Sequence, residues 1–212
     1  MNEQQLHDKL RSSGIAGIGD LDTSAKDPFV VVEAGSLVDV LTFLRDDTET
    51  CMEMLHNVTV VQRGAGFEVV YHVCSIARHH ALTLKVALPR PEGAGDDWQP
   101  TVPTASGVYS SADWHEREQW DLLGVHFEGH PDLRRIMTDY GFIGHPFRKD
   151  FPLIGNVEVS YDEAKGRVAY QPVSIESRTL VPRVIRDDSR YQADDIDKAA
   201  DDAADSLAPG AE

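Results

Sequence analysis

Three closely spaced runs of alternating apolar residues constrain the fold more than any other feature of the sequence. Val58-Thr59-Val60-Val61-Gln62 leads into the turn signal Arg63-Gly64-Ala65-Gly66. Phe67, Val69, Tyr71 and Val73 then alternate with Glu68, Val70, His72 and Cys74. Residues 81–88 repeat the pattern and place Leu82, Leu84, Val86 and Leu88 on one side. Successive strand side chains point to opposite faces, so each run has one apolar face. Short turns between such runs build an antiparallel meander with one buried side. That side needs a cover. Leu37, Val40, Leu41 and Leu44 follow Ser36, a good N-cap residue, at the i, i+3, i+4, i+7 spacing of an amphipathic helix that runs to about Asp46. Residues 4–10 read as another helix ending near Gly14, and Phe29–Val32 as a short strand after Pro28. The expected class is α+β: an antiparallel sheet with helices packed on one face, followed by an irregular, extended C-terminal arm.

Downstream, Asp113 and Glu116 have the spacing of a capping box, and Gly124 is a natural stop. They bracket a helix over residues 114–123, with Glu116, Trp120 and Leu123 on one face. After Gly124 the periodicity fails. Residues 125–156 mix Phe127, Tyr140, Phe142, Phe147 and Phe151 with glycines and prolines, and a loop this long inside a compact domain is usually functional or held by a partner. Residues 157–161 and 167–170 read as a hairpin, and residues 172–186 as an extended arm. The expected organisation is a globular domain over 1–124, an interface loop, hairpin and arm over 125–186, and an acidic tail over 187–212.

Charge and cysteine usage exclude several functions. The net charge is −16, and residues 187–212 hold −7 of it, with nine acids against two bases. Nucleic acid is excluded as a partner, because phosphate binding draws on clustered Lys and Arg. The same sign opposes direct attachment to an anionic membrane face. No run approaches the ~18 apolar residues of a membrane span. Met1-Asn2-Glu3-Gln4-Gln5 lacks the basic and apolar regions of a secretory signal. Cys51 and Cys74 form no CxxC pair, which argues against a zinc site, and four thiolates are normally needed for an iron–sulfur cluster.

The charged window around residue 116 offers no recognisable chemistry. His115-Glu116 begins like a zinc-protease HExxH, but Gln119 stands where the second histidine is required. Glu116 and Glu118 lie two apart on a helix and point away from each other, so they cannot flank one bond. Arg117 and Asp121 are i, i+4 neighbours in the weaker, basic-first order, so better partners are expected elsewhere. His126, His130 and His145 lie among carboxylates without metal-ligand spacing. The glycines of residues 14–19 reverse the dinucleotide-loop spacing. A free-standing enzyme using Glu116 or Asp121 as general base is the remaining catalytic option, and a soluble binding module is another.

The motif Glu116-Arg117-Glu118-x-x-Asp121-Leu122-Leu123, then His130 and Arg134-Arg135-Ile136-Met137, resembles the signature of the thirty-kilodalton subunit family of respiratory complex I. The likeness continues through Gly141-Phe142, Gly144-His145-Pro146-Phe147-Arg148-Lys149-Asp150-Phe151-Pro152-Leu153, Gly155-x-Val157-Glu158-Val159 and Arg167-Val168-x-Tyr170-x-Pro172-Val173. It is strong from about residue 110 to 182. It implies a non-catalytic subunit of the peripheral arm on the cytoplasmic side of the inner membrane. The implied partners are the large, forty-nine-kilodalton-type D subunit first and then neighbouring iron–sulfur subunits. The whole complex would use FMN, iron–sulfur clusters, NADH and quinone, with no cofactor in this chain. A related membrane-bound hydrogenase, or an F420- or ferredoxin-linked quinone oxidoreductase, is the alternative complex. The residues expected to form the interface and its supporting network are Glu116, Arg117, Glu118, Asp121, His130, Arg134, Arg135, Arg148, Lys149 and Asp150. Within that set, Glu116, Arg117, Glu118 and Asp121 are expected to hold the helix–loop junction. Arg134, Arg135, Arg148 and Lys149 are expected to face carboxylates of the partner.

Overall fold

In the computed structural model, which describes residues 1–95 and 98–176, the alternating runs form strands and the sheet extends beyond them. Strands β1 (Ile18–Asp22), β2 (Phe29–Val32), β3 (Met54–Arg63), β4 (Gly66–Ser75) and β5 (His80–Leu88) lie in the order β1-β2-β5-β4-β3. The meander of β3, β4 and β5 is antiparallel, with Val60 opposite Val69 and Val69 opposite Val86. The sheet is nevertheless mixed, because β2 runs parallel to β5 and pairs Val30 with Leu84. Connectivity explains this. Helix α2 (Leu37–Asp46) carries the chain across the sheet from β2 to β3, so those two strands point the same way. Two hairpins later β5 has the direction of β3 again.

Strand β1 has no alternation to reveal it. It holds a glycine and two aspartates and is broken by a register shift between Ile18 and Leu21. At Gly19 a Cβ would lie 2.9 Å from the Val31 carbonyl oxygen, so this glycine lets the backbone of β1 come close to that of β2.

The cover is helical. Helix α1 (Glu3–Ser12) is closed by a reciprocal capping box between Asn2 and Gln5 and buries Leu6 and Leu10. Helix α2 buries Leu37, Val40, Leu41 and Leu44, the four residues whose spacing marks it. A short 3-10 turn at Ala34–Ser36 precedes it, and the Ser36 side chain makes no cap bond. The core lies between these helices and the inward residues of the sheet, among them Val58, Val69, Tyr71, Leu84 and Val86.

Helix α3 (Ala112–Leu123) closes the outer edge of β3. The Val60 amide donates to Gln119 Oε1 at 3.0 Å, and the Ser111 hydroxyl donates to the Leu55 carbonyl at 3.1 Å. Side chains thus occupy backbone groups that an edge strand would otherwise offer to another chain. Two short parallel strands, β6 (Thr101–Pro103) and β7 (His126–Glu128), bracket the helix. Strand β7 lies beyond the domain boundary expected at residue 124, yet its Phe127 belongs to the core. The compact unit accordingly runs from Met1 to Val173, and a second unit is Ser174–Glu212. Strands β8 (Val157–Asp162) and β9 (Arg167–Pro172) form the expected hairpin. The extended arm beyond residue 176 and the acidic tail lie outside the described residues. Among the described residues, no helix is long and apolar enough to cross a membrane.

Leu41 fills the core between α2 and the sheet. Leu41→Ala is expected to cost about 2–5 kcal/mol in urea denaturation, the range for emptying a buried leucine site. A loss below about 1 kcal/mol would place Leu41 outside the core.

Candidate functional site

The charged motif of α3 organises the non-periodic loop that follows it. A helix ends with four carbonyls that have no partner inside the helix. In α3 the Trp120 carbonyl accepts from Gly124 N–H at 2.9 Å, and the loop takes the carbonyls beyond it. His145 Nδ1 donates to the Asp121 carbonyl at 2.9 Å, and the Phe147 amide to that of Leu122 at 3.0 Å. Arg148 Nε donates to the Leu123 carbonyl at 2.7 Å, and Nη2 to that of Gly124 at 3.3 Å. The guanidinium therefore sits at the negative end of the helix dipole, 5.6 Å above the ring of Phe67. Burial lowers the Arg148 pKa from its ordinary value, and the Asp150 charge opposes that shift. Gly124 is left-handed at φ 74°, and a Cβ there would overlap Arg148 Nη2 and lie 2.6 Å from the His145 ring. Only glycine lets the loop come this close.

Asp121 is fully buried and heavily bonded. Its Oδ2 accepts the amides of Ile136, Met137 and Thr138 at 3.1, 2.8 and 2.8 Å. Its Oδ1 accepts Arg135 Nη1 at 2.6 Å and the Thr138 hydroxyl at 2.5 Å. Burial alone would raise its pKa. The bonds from Thr138, Met137 and Arg135 outweigh burial and hold the pKa at about 2. Arg135 continues to the Gly144 carbonyl at 3.1 Å and lies against Trp120 and Phe142, 5.7 and 5.9 Å from their ring centres.

Glu116, also fully buried, turns the other way. Its Oε1 accepts the Ala105 amide at 2.7 Å and its Oε2 the Thr104 hydroxyl at 2.5 Å. The capping box expected with Asp113 is not formed: the helix begins two residues earlier than expected, at Ala112, and Glu116 is committed to the turn after β6. His130, with a fully buried side chain, places Nε2 3.0 Å from Asp113 Oδ1 and 3.9 Å from Glu116 Oε2. The Asp132 amide donates to His130 Nδ1 at 3.1 Å, so the ring proton sits on Nε2, facing the acids. Burial pushes the Glu116 pKa up to about 7. The bonds from Thr104 and Ala105 oppose that rise, and the Asp113 charge adds to it.

The structure thus separates the ten candidate residues. Glu116, Asp121, His130, Arg135 and Arg148 form internal bonds at the two ends of α3. Arg135 and Arg148, expected to face a partner, instead turn inward, because Asp121 and the helix carbonyls provide nearer acceptors. Arg134 is exposed and pairs with Asp132 at 2.9 Å. Lys149 and Asp150 are exposed, and Glu118 is half-buried. Arg117 is buried, bonds the Arg134 carbonyl through Nε at 3.3 Å, and lies 5.1 Å from the Trp114 ring centre. Thr104 and Thr138 belong to the site and were missed in the sequence. Each is an isolated hydroxyl whose acceptor lies 12 or 17 residues away, so no local spacing points to it.

Beyond the loop, the hairpin faces the wrong way for a free domain. Val159 pairs with Tyr170 and Tyr161 with Val168, so these residues and Val157 share one face. They are 57–67% exposed. The other face is polar: Gln171 Nε2 donates to Glu158 Oε1 at 2.5 Å and the Ser160 hydroxyl to Gln171 Oε1 at 3.1 Å. Two strands alone are marginal in water, and a contiguous exposed apolar patch marks an interaction surface. Ile143 and Leu153 add to the exposed apolar residues before the hairpin.

Fold and site together define an α+β chain whose charged motif is used to shape its own loop. Residues 30–157 match the family described as "Respiratory-chain NADH dehydrogenase, 30 Kd subunit". The chain belongs to this family. It is 57% identical over 132 residues to the C subunit of the NADH-quinone oxidoreductase of Halorhodospira halophila, covering 62% of this chain and 51% of that protein. It is 48% identical over 171 residues to the corresponding C subunit of Burkholderia multivorans, covering 76% and 82%. The chain spans about half the length of the Halorhodospira relative it matches. A solved structure of the membrane-bound sulfane sulfur reductase, an archaeal respiratory membrane complex, contains a chain of similar fold. Its TM-score is 0.57 at 21% identity, over 71% of this chain and 86% of that one.

Two outcomes are expected. Gly124→Ala should cost about 2 kcal/mol or more in chemical denaturation, since it adds left-handed strain and displaces Arg148; wild-type stability would contradict the cap. The second concerns pH. With its folded pKa raised to about 7 from 4.5, Glu116 stabilises the fold fully below about pH 4.5, and this contribution is lost as pH rises through 7. Asp121 has the opposite sign, contributing above about pH 4 and losing its contribution as pH falls toward 2. Between pH 4.5 and 7.5 the wild-type chain should lose about 3 kcal/mol through Glu116, and Glu116→Gln should remove that slope. Equal slopes in denaturation series at the two pH values would contradict the assignment.

Proposed function

We propose that the chain is a non-catalytic structural subunit of the peripheral arm of a proton-pumping NADH:quinone oxidoreductase. It is needed to assemble that arm, and so for electron transfer from NADH to quinone by the whole complex. It docks on the large D subunit first and then on neighbouring iron–sulfur subunits. It lies on the cytoplasmic side of the inner membrane, held there by the complex. FMN, iron–sulfur clusters, NADH and quinone are handled by other subunits. Two cysteines fall short of the four thiolates a cluster takes.

The observation that carries the docking role is the solvent-facing apolar side of the β8–β9 hairpin. Its exposed valines and tyrosines have the composition of an interface core. The loop before it is tied down by Asp121, Arg135 and Arg148, which lowers the ordering entropy a partner must overcome. The hairpin is joined to that loop by the Tyr170 hydroxyl, which donates to Asp139 Oδ2 at 2.6 Å. Relatives named for NADH and quinone at 48% and 57% identity favour this complex over a hydrogenase or an F420- or ferredoxin-linked enzyme.

Blue-native electrophoresis of gently solubilised membranes, with mass spectrometry of the band, tests the reading. The chain should run in a large band together with the D subunit. The double variant Val159→Asp/Val168→Asp should melt within about 2 °C of wild type as an isolated chain, since it alters exposed positions, and yet be lost from that band. A chain running alone, or a variant that stays in the complex, would contradict the reading.

A further inference from the structure

Arg117 is only 7% exposed, yet no carboxylate pairs with it among the described residues. Its guanidinium makes one hydrogen bond, from Nε to the Arg134 carbonyl at 3.3 Å, and stacks on Trp114. Among the described residues, Glu118, its half-buried sequence neighbour, makes no ion pair with it, and the other nearby acids are engaged elsewhere. Asp121, one turn on, accepts from Arg135, Thr138 and two further amides. Glu116 accepts from Thr104 and Ala105, Asp113 faces His130, and Asp132 pairs with Arg134. A guanidinium carries five N–H donors and keeps its charge at any working pH. Burying one without a counter-charge is unfavourable. Arg135 and Arg148, on the same helix–loop junction, are supplied with acceptors, so the shortage at Arg117 is local.

Trp114, against which Arg117 lies, is 62% exposed. A free inorganic anion would make no use of that indole surface, whereas a protein side chain would cover it. Buried arginine beside tryptophan is the composition of an interface hot spot. We propose that Arg117 is a preformed receptor for a carboxylate side chain of the partner subunit, seated against Trp114. The inference rests on the assembly reading above and goes beyond it: the docking contact lies on α3 itself as well as on the hairpin. The counter-ion missing among the described residues arrives with the partner. An arginine fork suits bidentate pairing with a carboxylate.

The signature is a pair of effects that a purely internal role would not produce. In Arg117→Met, the isolated full-length chain should melt at or above the wild-type temperature, because an uncompensated buried charge has been removed. The same variant should be retained in the solubilised complex at least tenfold less than wild type at equal expression. Arg117→Lys, which keeps the charge without the fork, should recover part of that loss. Retention of Arg117→Met at the wild-type level would overturn the inference. So would a fall in the melting temperature of the isolated chain, which would mark Arg117 as already satisfied within its own fold. Removal of residues 187–212 tests the other source of carboxylates, the chain's own tail: undiminished retention is expected, and an Arg117→Met-like loss would overturn assignment to a partner. Absence of the wild-type chain from the complex would instead defeat the assembly reading itself.

Discussion

One carboxylate holds the irregular half of this protein in place. Asp121 accepts three successive loop amides, a hydroxyl and a guanidinium, in a position fully withdrawn from water. A non-periodic segment has no ladder to satisfy its backbone, so it needs local acceptors to hold one shape. The end of α3 supplies them in two forms, the Asp121 side chain and the free carbonyls of the last turn. His145, Phe147 and Arg148 take up those carbonyls and bring residues 135–148 around the helix. The loop is therefore built on a helix terminus in the way a strand is built on its neighbour.

Glu116 and Asp121 share this helix and are both withdrawn from solvent, which raises the pKa of each, yet the two carboxyls end on opposite sides of their ordinary values. Asp121 has a cation and many donors, which hold it ionised far below neutrality. Glu116 has two neutral donors and a nearby acid, so burial prevails and its pKa reaches about 7. The helix thus anchors the loop through a carboxylate that is firmly charged and meets the turn after β6 through one poised near neutrality. Neither geometry requires a substrate. Both read as structural chemistry, which suits a family member whose proposed role is to present a surface.

Local patterning made the sheet and α2 legible. Leu37, Val40, Leu41 and Leu44 are buried as their spacing requires, and the 67–74 and 81–88 runs alternate in and out, except that Val70 is buried on the opposite face. The mixed character of the sheet could not be read from any strand, since it follows from the crossover through α2. Strand β1 was hidden because Gly19, Asp20 and Asp22 have low β-propensity, and it is held as a strand through the pairing of Ile18, Leu21 and Asp22 with β2. At the site, the residue types were legible and their directions were not. Asp113 and Glu116 have capping-box spacing, but Glu116 finds better donors in Thr104 and Ala105. Arg135 and Arg148 look like surface cations in sequence. Only the fold shows that Asp121 and the α3 carbonyls lie within their reach.

Amide hydrogen exchange at Ile136, Met137 and Thr138 tests the central claim most directly. These three N–H groups lie in a segment without helix or strand and have the Asp121 carboxylate as their acceptor. In the wild-type chain they should exchange far more slowly than the exposed loop amides around them. In Asp121→Ala the three should lose that protection together, while amides in the centre of β4 keep theirs. Unchanged protection of the three amides in the variant would contradict the account, because the loop would then hold its shape without the carboxylate.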